Sequence, residues 1–341
     1  MEQTKKIRVL VVDDSILFRE ILSRGISSDA DIEVVATAID PFDARDKIIE
    51  YRPDVMTCDV EMPKMNGIEF IRRLLPQYPL PIIVVSSVSS AVFDAMNAGA
   101  VDFVTKPDVR AVNGVESFIR DMIDKIKIAS SAKIVQRNSE GRTMKINDSP
   151  AAGSGKIIAI GASTGGTEAI CQVLKALPGS TPGIVIVQHI PPVFSRMFAE
   201  RLNSSTNLEV KEAETGDYIE KGRVLIAPGD CHMAIQKTGN RYKVKCFAGD
   251  KVNGHCPSVD VLFHSVAVEA QKNAIGVILT GMGYDGAKGL LEMRRKGART
   301  IGQDERSSVV YGMSKVAYNI GAVEKQASLT NIASAIYTFL G

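Results

Sequence analysis

The chain has 341 residues, 45% hydrophobic and 23% charged, which suits a soluble globular protein and, at about 100–200 residues per domain, points to two domains. A formal net charge of +2 creates no field favouring nucleic acid or an anionic membrane, and the absence of tryptophan argues against a stacking platform for single strands. The five cysteines, Cys58, Cys171, Cys231, Cys246 and Cys256, form an odd set without a CxxC, which argues against a disulfide framework or zinc ribbon and suggests a reducing, cytoplasmic setting.

The N-terminus, MEQTKKIRVLVVDD, has a short apolar stretch that runs into two aspartates, so it reads as a strand and not a signal peptide. No apolar run approaches the length of a membrane span, and no direct membrane insertion is expected. Apolar strands follow at 7–12, 33–38, 55–59, 82–86 and 102–105, with helical patterns between them. One of these helices, 16–24, has apolar residues at 17, 18, 21 and 22, and the last, about 115–128, puts Phe118, Ile119, Met122, Ile123 and Ile126 on one face. This strict alternation predicts an α/β domain over 1–128 with a parallel five-stranded sheet. Residues 129–155 lose periodicity and turn small and polar, as a linker does.

A second α/β run occupies 156–341. Strands are expected at 156–160, 184–188, 208–213, 223–227, 274–279 and 300–302, and helices at 167–177, 193–202, 258–269, 286–296 and 329–340. Segments 233–236 and 242–247, joined by the turn Gly239–Asn240, read as an antiparallel hairpin inserted in a doubly wound parallel domain.

In the first domain Asp13 and Asp14 follow the first strand and Asp59 ends the third. Parallel strands bring these carboxylates to one sheet edge, where doubly wound folds bind ligands. Such a cluster needs a counter-charge, which a hard divalent cation such as Mg²⁺ supplies. Ser86 and Lys106, at the ends of the fourth and fifth strands, reach the same edge, and the set suits a phosphoryl group. Single aspartates at strand ends are as often turn residues or helix caps; five such positions together point to a site.

The segments VLVVDDS, PDVMTCDVEMPKMNG, PIIVVSS and GAVDFVTKP resemble the signatures of two-component receiver domains. The resemblance implies Asp59 as phospho-acceptor, a Mg²⁺ site of Asp13, Asp14 and Asp59 completed by the carbonyl of Glu61, and a switch made of Ser86, Phe103 and Lys106. The short segment between Ser87 and Ala100 departs from the family by trimming the fourth helix.

In the second domain, Gly161-Ala162-Ser163-Thr164-Gly165 matches G-x-S-x-G between a buried strand and a helix, where a sharp turn exposes a nucleophilic serine; a tight turn without chemistry is the alternative. The serine needs a general base, and four histidines are available. His264 lies within a helix and reads as structural, while His232 and His255 lie in or near loops beside Cys231 and Cys256 without a familiar zinc spacing. His189 directly follows the strand after the serine's own, and consecutive parallel strands joined by one helix usually lie side by side. Asp285, past the strand 274–279, is the carboxylate candidate; Asp230 is its rival but sits in a PGD turn. Glycines around Met282 allow backbone N–H groups to approach a substrate.

GASTGG, VQHIPP, APGDCHM, HCPSVDVLF and LTGMGYDGAKG resemble the catalytic domain of the chemotaxis protein-glutamate methylesterase (CheB) family. That resemblance implies a Ser163–His189–Asp285 triad, the Met282 N–H as an oxyanion donor, and Thr164 as an active-site neighbour. It further implies hydrolysis of glutamyl γ-methyl esters on methyl-accepting chemotaxis receptors, deamidation of receptor glutamines, phosphorylation by the histidine kinase CheA, and no cofactor for the esterase. In this family the unphosphorylated receiver covers the esterase cleft. Two other readings are a DNA-binding response regulator, for which the second domain is too long and strand-rich, and a catalytically inactive receptor-docking regulator.

Overall fold

The computed structural model describes residues 5–87, 90–107, 114–134 and 155–341. The chain divides into two compact units, Met1–Arg137 and Asn138–Gly341. Most of the expected linker, 135–154, lies outside the described residues.

The first unit alternates β1 (Ile7–Val12), α1 (Ile16–Ile26), β2 (Ile32–Ala38), α2 (Pro41–Tyr51), β3 (Val55–Asp59), α3 (Gly67–Leu74), β4 (Ile82–Ser86), α4 (Ala91–Ala98), β5 (Asp102–Thr105) and α5 (Gly114–Ser130). Its sheet has the order β2-β1-β3-β4-β5, and every pairing is parallel. β3 and β4 are buried at every position, which is why both read as unbroken rather than alternating apolar runs. Local chemistry starts the helices. Asp40 Oδ1 accepts the N–H groups of Phe42 and Asp43 at 2.9 Å, with Pro41 in the first turn, and Asn66 caps α3 through the Glu69 N–H. α1 departs from its sequence pattern at its start: Leu17 is exposed, while Leu22, expected on the apolar face, is buried together with Ile26. It approaches α5 so closely at Gly25 that a Cβ there would lie 2.3 Å from Ile119 Cδ1. α4 spans eight residues.

The second unit contains β6 (Ile157–Ala162), α6 (Gly166–Lys175), β7 (Ile184–Gln188), α7 (Phe194–Ser205), β8 (Glu209–Glu212), β9 (Arg223–Ile226), β10 (His232–Thr238), β11 (Arg241–Phe247), α8 (Val259–Glu269), β12 (Ala274–Ile278), α9 (Ala287–Arg295), β13 (Arg299–Gln303), α10 (Met313–Asn319), β14 (Lys325–Ala327) and α11 (Ile332–Leu340). Seven strands form a parallel sheet in the order β14-β13-β12-β6-β7-β9-β8. β10 and β11 pair antiparallel as a separate hairpin. The hairpin is seated on α8: Met233, Ile235, Tyr242 and Val244 share one apolar core with Leu262, Phe263 and Val266, and the Ile235 N–H donates to Ser265 Oγ at 2.9 Å.

α10 and β14 lie outside the sequence expectation. α10 is too short to show helical periodicity, and β14 is three residues of edge strand, Lys-Gln-Ala, without an apolar run. The topology matters for chemistry because the chain leaves β6 for β7 on one side, while β12 flanks β6 on the other. The strand order reverses there, and a crevice opens outside the carboxyl ends of the strands.

Candidate active site

Three adjacent strands, β12, β6 and β7, deliver three side chains to that crevice. Ala162 is in register with Gln188, and the His189 N–H donates to the Ala162 carbonyl at 3.2 Å, so Ser163 and His189 leave neighbouring strands side by side. On the other flank Ile278 is in register with Gly161.

The serine turn is fixed from all sides. The Ser163 N–H donates to the Thr280 carbonyl at 3.0 Å and is therefore committed to the sheet. The Gln188 amide donates to the carbonyls of Ser163 and His189 at 3.0 and 3.2 Å. Gly281 lies so close that a Cβ there would meet Ser163 Cβ at 2.7 Å. Gly165 takes φ +74°, where added bulk would strike Val309. Thr164 is buried, and its carbonyl is held by Thr280 Oγ1 at 3.1 Å. Met282, which follows Gly281, has a half-exposed side chain and an N–H without a backbone hydrogen bond among the described residues. A free amide near a serine hydroxyl is the kind of donor an oxyanion at that site would require.

His189 Nε2 lies 2.9 Å from Asp285 Oδ2, with both side chains buried. His189 Nδ1 is buried without a partner. The bond to the carboxylate fixes the tautomer with the proton on Nε2, so Nδ1 is the nitrogen left to receive one. No hydrogen bond joins Ser163 Oγ to the ring among the described residues; such contacts often close only around a substrate.

Asp285 does more than orient the imidazole. Its Oδ1 accepts from Asn253 Nδ2, Ser258 Oγ and the Asp260 N–H at 2.8, 2.8 and 3.2 Å, and its Oδ2 accepts the Val259 N–H at 2.7 Å. It is thus the N-terminal cap of α8, supplied from another loop, while Ser258 at the cap position spends its own hydroxyl on the carboxylate. Burial pushes the Asp285 pKa up, but the bonds from His189, Asn253 and Ser258 outweigh it and hold the group well below the usual carboxylate range.

The remaining histidines separate cleanly. His264 is exposed and faces Glu292 at 2.7 Å. His232 opens β10 rather than a loop; its Nδ1 accepts the Ser258 N–H at 3.2 Å and its Nε2 donates to the Asp250 carbonyl at 2.9 Å, so it braces the segment before α8. His255 was not singled out by the sequence as an active-site residue, yet its ring stacks on that of His189 with centroids 3.6 Å apart and planes 11° from parallel. Burial, with His189 beside it, pushes His255 down to about 4. Asn253 was missed as well, although Asn253–Gly254 is a hairpin-turn dipeptide: both take positive φ, +53° and +85°, and Val252 and His255 exchange two 3.0 Å backbone bonds across it. Asp230, the rival acid, sits at φ +58° in its turn and makes no bond to His189.

In the first unit, carboxylate oxygens of Asp13, Asp14 and Asp59 lie within 4.8 Å of one another. Lys106 Nζ is 2.9 Å from Asp13 Oδ2 and 2.6 Å from Asp59 Oδ2. Burial raises the Asp59 pKa and Asp13 adds to it, against the pull of Lys106. The Glu61 N–H donates to Asp59 Oδ1 at 3.2 Å, and its side chain is exposed. Ser86 Oγ is buried with no partner, and the Phe103 ring is buried edge-on to Phe93 at 6.5 Å. Three acidic groups against one ammonium leave excess negative charge in oxygen-rich surroundings, a donor set that fits Mg²⁺.

A family profile described as CheB methylesterase matches residues 158–336, and one described as response regulator receiver domain matches 9–112. A Syntrophomonas wolfei protein named protein-glutamate methylesterase/protein-glutamine glutaminase 2 is 58% identical over 336 residues, 98% of either chain. A Salmonella typhimurium protein named protein-glutamate methylesterase/protein-glutamine glutaminase is 48% identical, covering 96% of this chain and 95% of its own. The Thermotoga maritima CheB methylesterase catalytic domain, a crystal structure, is 37% identical with a TM-score of 0.53, over 54% of this chain and 98% of that one.

Proposed function

The chain belongs to the CheB methylesterase family with a response regulator receiver domain ahead of the hydrolase, and from that premise we propose how its own residues act. It is a phosphorylation-activated protein-glutamate methylesterase and protein-glutamine glutaminase. Its substrates in this reading are the glutamyl γ-methyl esters and certain glutamines of chemoreceptors.

Ser163 is the nucleophile, His189 the base and Asp285 the orienting acid. The observation that carries this assignment is the Asp285–His189 bond with its unpartnered Nδ1, on the strand next to the serine's own. Ser163 Oγ gives its proton to His189 Nδ1 and bonds to the ester carbonyl carbon. The carbonyl oxygen takes the negative charge and turns toward the Met282 N–H; one such donor contributes roughly 10²–10³ in rate. The C–O bond to the methoxy group breaks, and His189 returns the proton to release methanol. Water then adds to the acyl-serine through the same base, freeing glutamate and Ser163. With a glutamine, ammonia leaves in place of methanol. General-base help is worth about 10²–10⁴.

In the receiver, Asp59 accepts the phosphoryl group, Lys106 pairs with its oxygens, and the orphaned hydroxyl of Ser86 gains an acceptor. Asp13, Asp14, Asp59 and the Glu61 carbonyl would hold Mg²⁺, which neutralises charge between carboxylates and phosphate. CheA is the phosphodonor in this reading. In this reading the protein works in the cytoplasm, where the resemblance places its kinase. No described helix is long and apolar enough to cross a membrane.

The test is methanol release from methylated receptor membranes by the phosphorylated full chain. Release that is abolished in Ser163→Ala supports the hydrolase. No release from the wild type at any phosphorylation level contradicts it and favours a regulator that only docks.

A further inference from the structure

One hydrogen bond cannot hold a general base in place. The contact from Asp285 fixes one ring nitrogen of His189 but leaves the ring free to turn about that contact, because the outer torsion of histidine is broad. The direction of Nδ1, which must meet the serine proton, is then undefined. A second flat ring lying against the first removes that freedom, and His255 supplies one at 3.6 Å and 11°. The carboxylate has a parallel need, and Asn253 Nδ2 meets it with bonds of 2.8 Å to Asp285 Oδ1 and 2.7 Å to Asp260 Oδ2.

Both residues stand on one tight turn. Val252 and His255 close it with two backbone bonds, and Asn253 and Gly254 occupy its two left-handed positions. Asparagine tolerates that backbone and also carries an amide, which glycine lacks.

We propose that the turn Val252–His255 is a positioning clamp for the hydrolase, in which His255 sets the ring plane of His189 and Asn253 sets the carboxylate of Asp285. This rests on the triad reading of the site. His255 and Asn253 are positioning residues, acting through the base and the acid. The charged and titratable groups around His255 are His189, Asp285 and Lys251. A neutral His255 face also suits the imidazolium that His189 becomes during turnover, since the face of a neutral ring attracts a cation.

The test measures kcat and KM for receptor demethylation by the phosphorylated full chain, alongside the denaturant midpoint. His255→Ala should lower kcat about 10–100-fold with little change in KM, as loss of orientation does. His255→Phe, which keeps a flat ring without a titrating nitrogen, should recover most of that loss. Asn253→Gly, which keeps the turn's backbone and removes the amide, should lower kcat while leaving the midpoint near wild type. Wild-type kcat in a folded His255→Ala, or His255→Phe as impaired as His255→Ala, overturns the clamp. A kcat loss matched by an equal loss of folded protein overturns it too. Ser163→Ala is the control: if it is inactive while His255→Ala is fully active, only the clamp fails, whereas an active Ser163→Ala removes the triad and the clamp together.

Discussion

Asp285 illustrates how one carboxylate holds both chemistry and fold. It orients His189 and caps α8, so Asp285→Ala removes the acceptor of four protein donors besides the imidazole. The expected cost is about 2–4 kcal/mol, read as a lower denaturant midpoint, from a lost cap and orphaned donors. His189→Ala should abolish activity with a much smaller shift, since it uncouples only one of those bonds. His255 gives a pH signature. Its folded pKa of about 4 lies below the ordinary imidazole value of 6.5, so the folded state binds fewer protons between those values. Stability should be at its plateau above pH 6.5 and decline as pH falls toward 4, and His255→Phe should flatten that slope in melting temperature. Asp285 titrates below this window and is not its source.

At the scale of elements, catalysis depends on strand ends brought within a side chain's reach. Gly281 shows how tight that approach is. Gly281→Ala would drive a Cβ to 2.7 Å from Ser163 Cβ and should cost about 10²-fold in kcat, as ångström displacements of a nucleophile do. Gly239→Ala, in the turn between β10 and β11, is the comparison: it sits at φ +61° with nothing within 4 Å, so it should cost only about 1–2 kcal/mol of backbone strain and spare kcat. These strand ends were legible in the sequence because buried parallel strands are short apolar runs, and the residue after each run is the residue at the edge. Ser163 and His189 could be singled out on that ground, as could Asp13, Asp59 and Lys106, whereas Asp285 lies further on, in the loop between β12 and α9, and was a candidate only as the carboxylate following that strand. Asn253 and His255 could not, because their role arises from a loop folding back across the sheet edge, and their one local signal is the Asn-Gly dipeptide. α10 and β14 were silent because each is too short for a period to accumulate. The exposed start of α1 escaped for the opposite reason: Ile16 and Leu17 are apolar yet stay largely exposed, so their apolar pattern overstates the buried face.

At the scale of the whole molecule, two units with separate sheets are joined through a segment outside the described residues. The hydrolase unit has its own core, from β6 through the hairpin to α8 and α9. In the proposed reading, phosphorylation at Asp59 acts on the other unit through a coupling free energy, typically about 1–3 kcal/mol, or 5–150-fold. The fragment 150–341 should hydrolyse esters faster than the unphosphorylated full chain by a factor in that range, measured as methanol release; equal rates would exclude inhibition by the receiver. The central claim, that one hydroxyl and one imidazole act as a unit at the β6–β7 edge, is tested most directly by a double-mutant cycle on kcat with Ser163→Ala, His189→Ala and both together. Either single change should cost about as much as the pair, because neither partner works without the other. Losses that multiply, so that the double variant is slower by the product of the two, would show the residues acting independently and contradict the account.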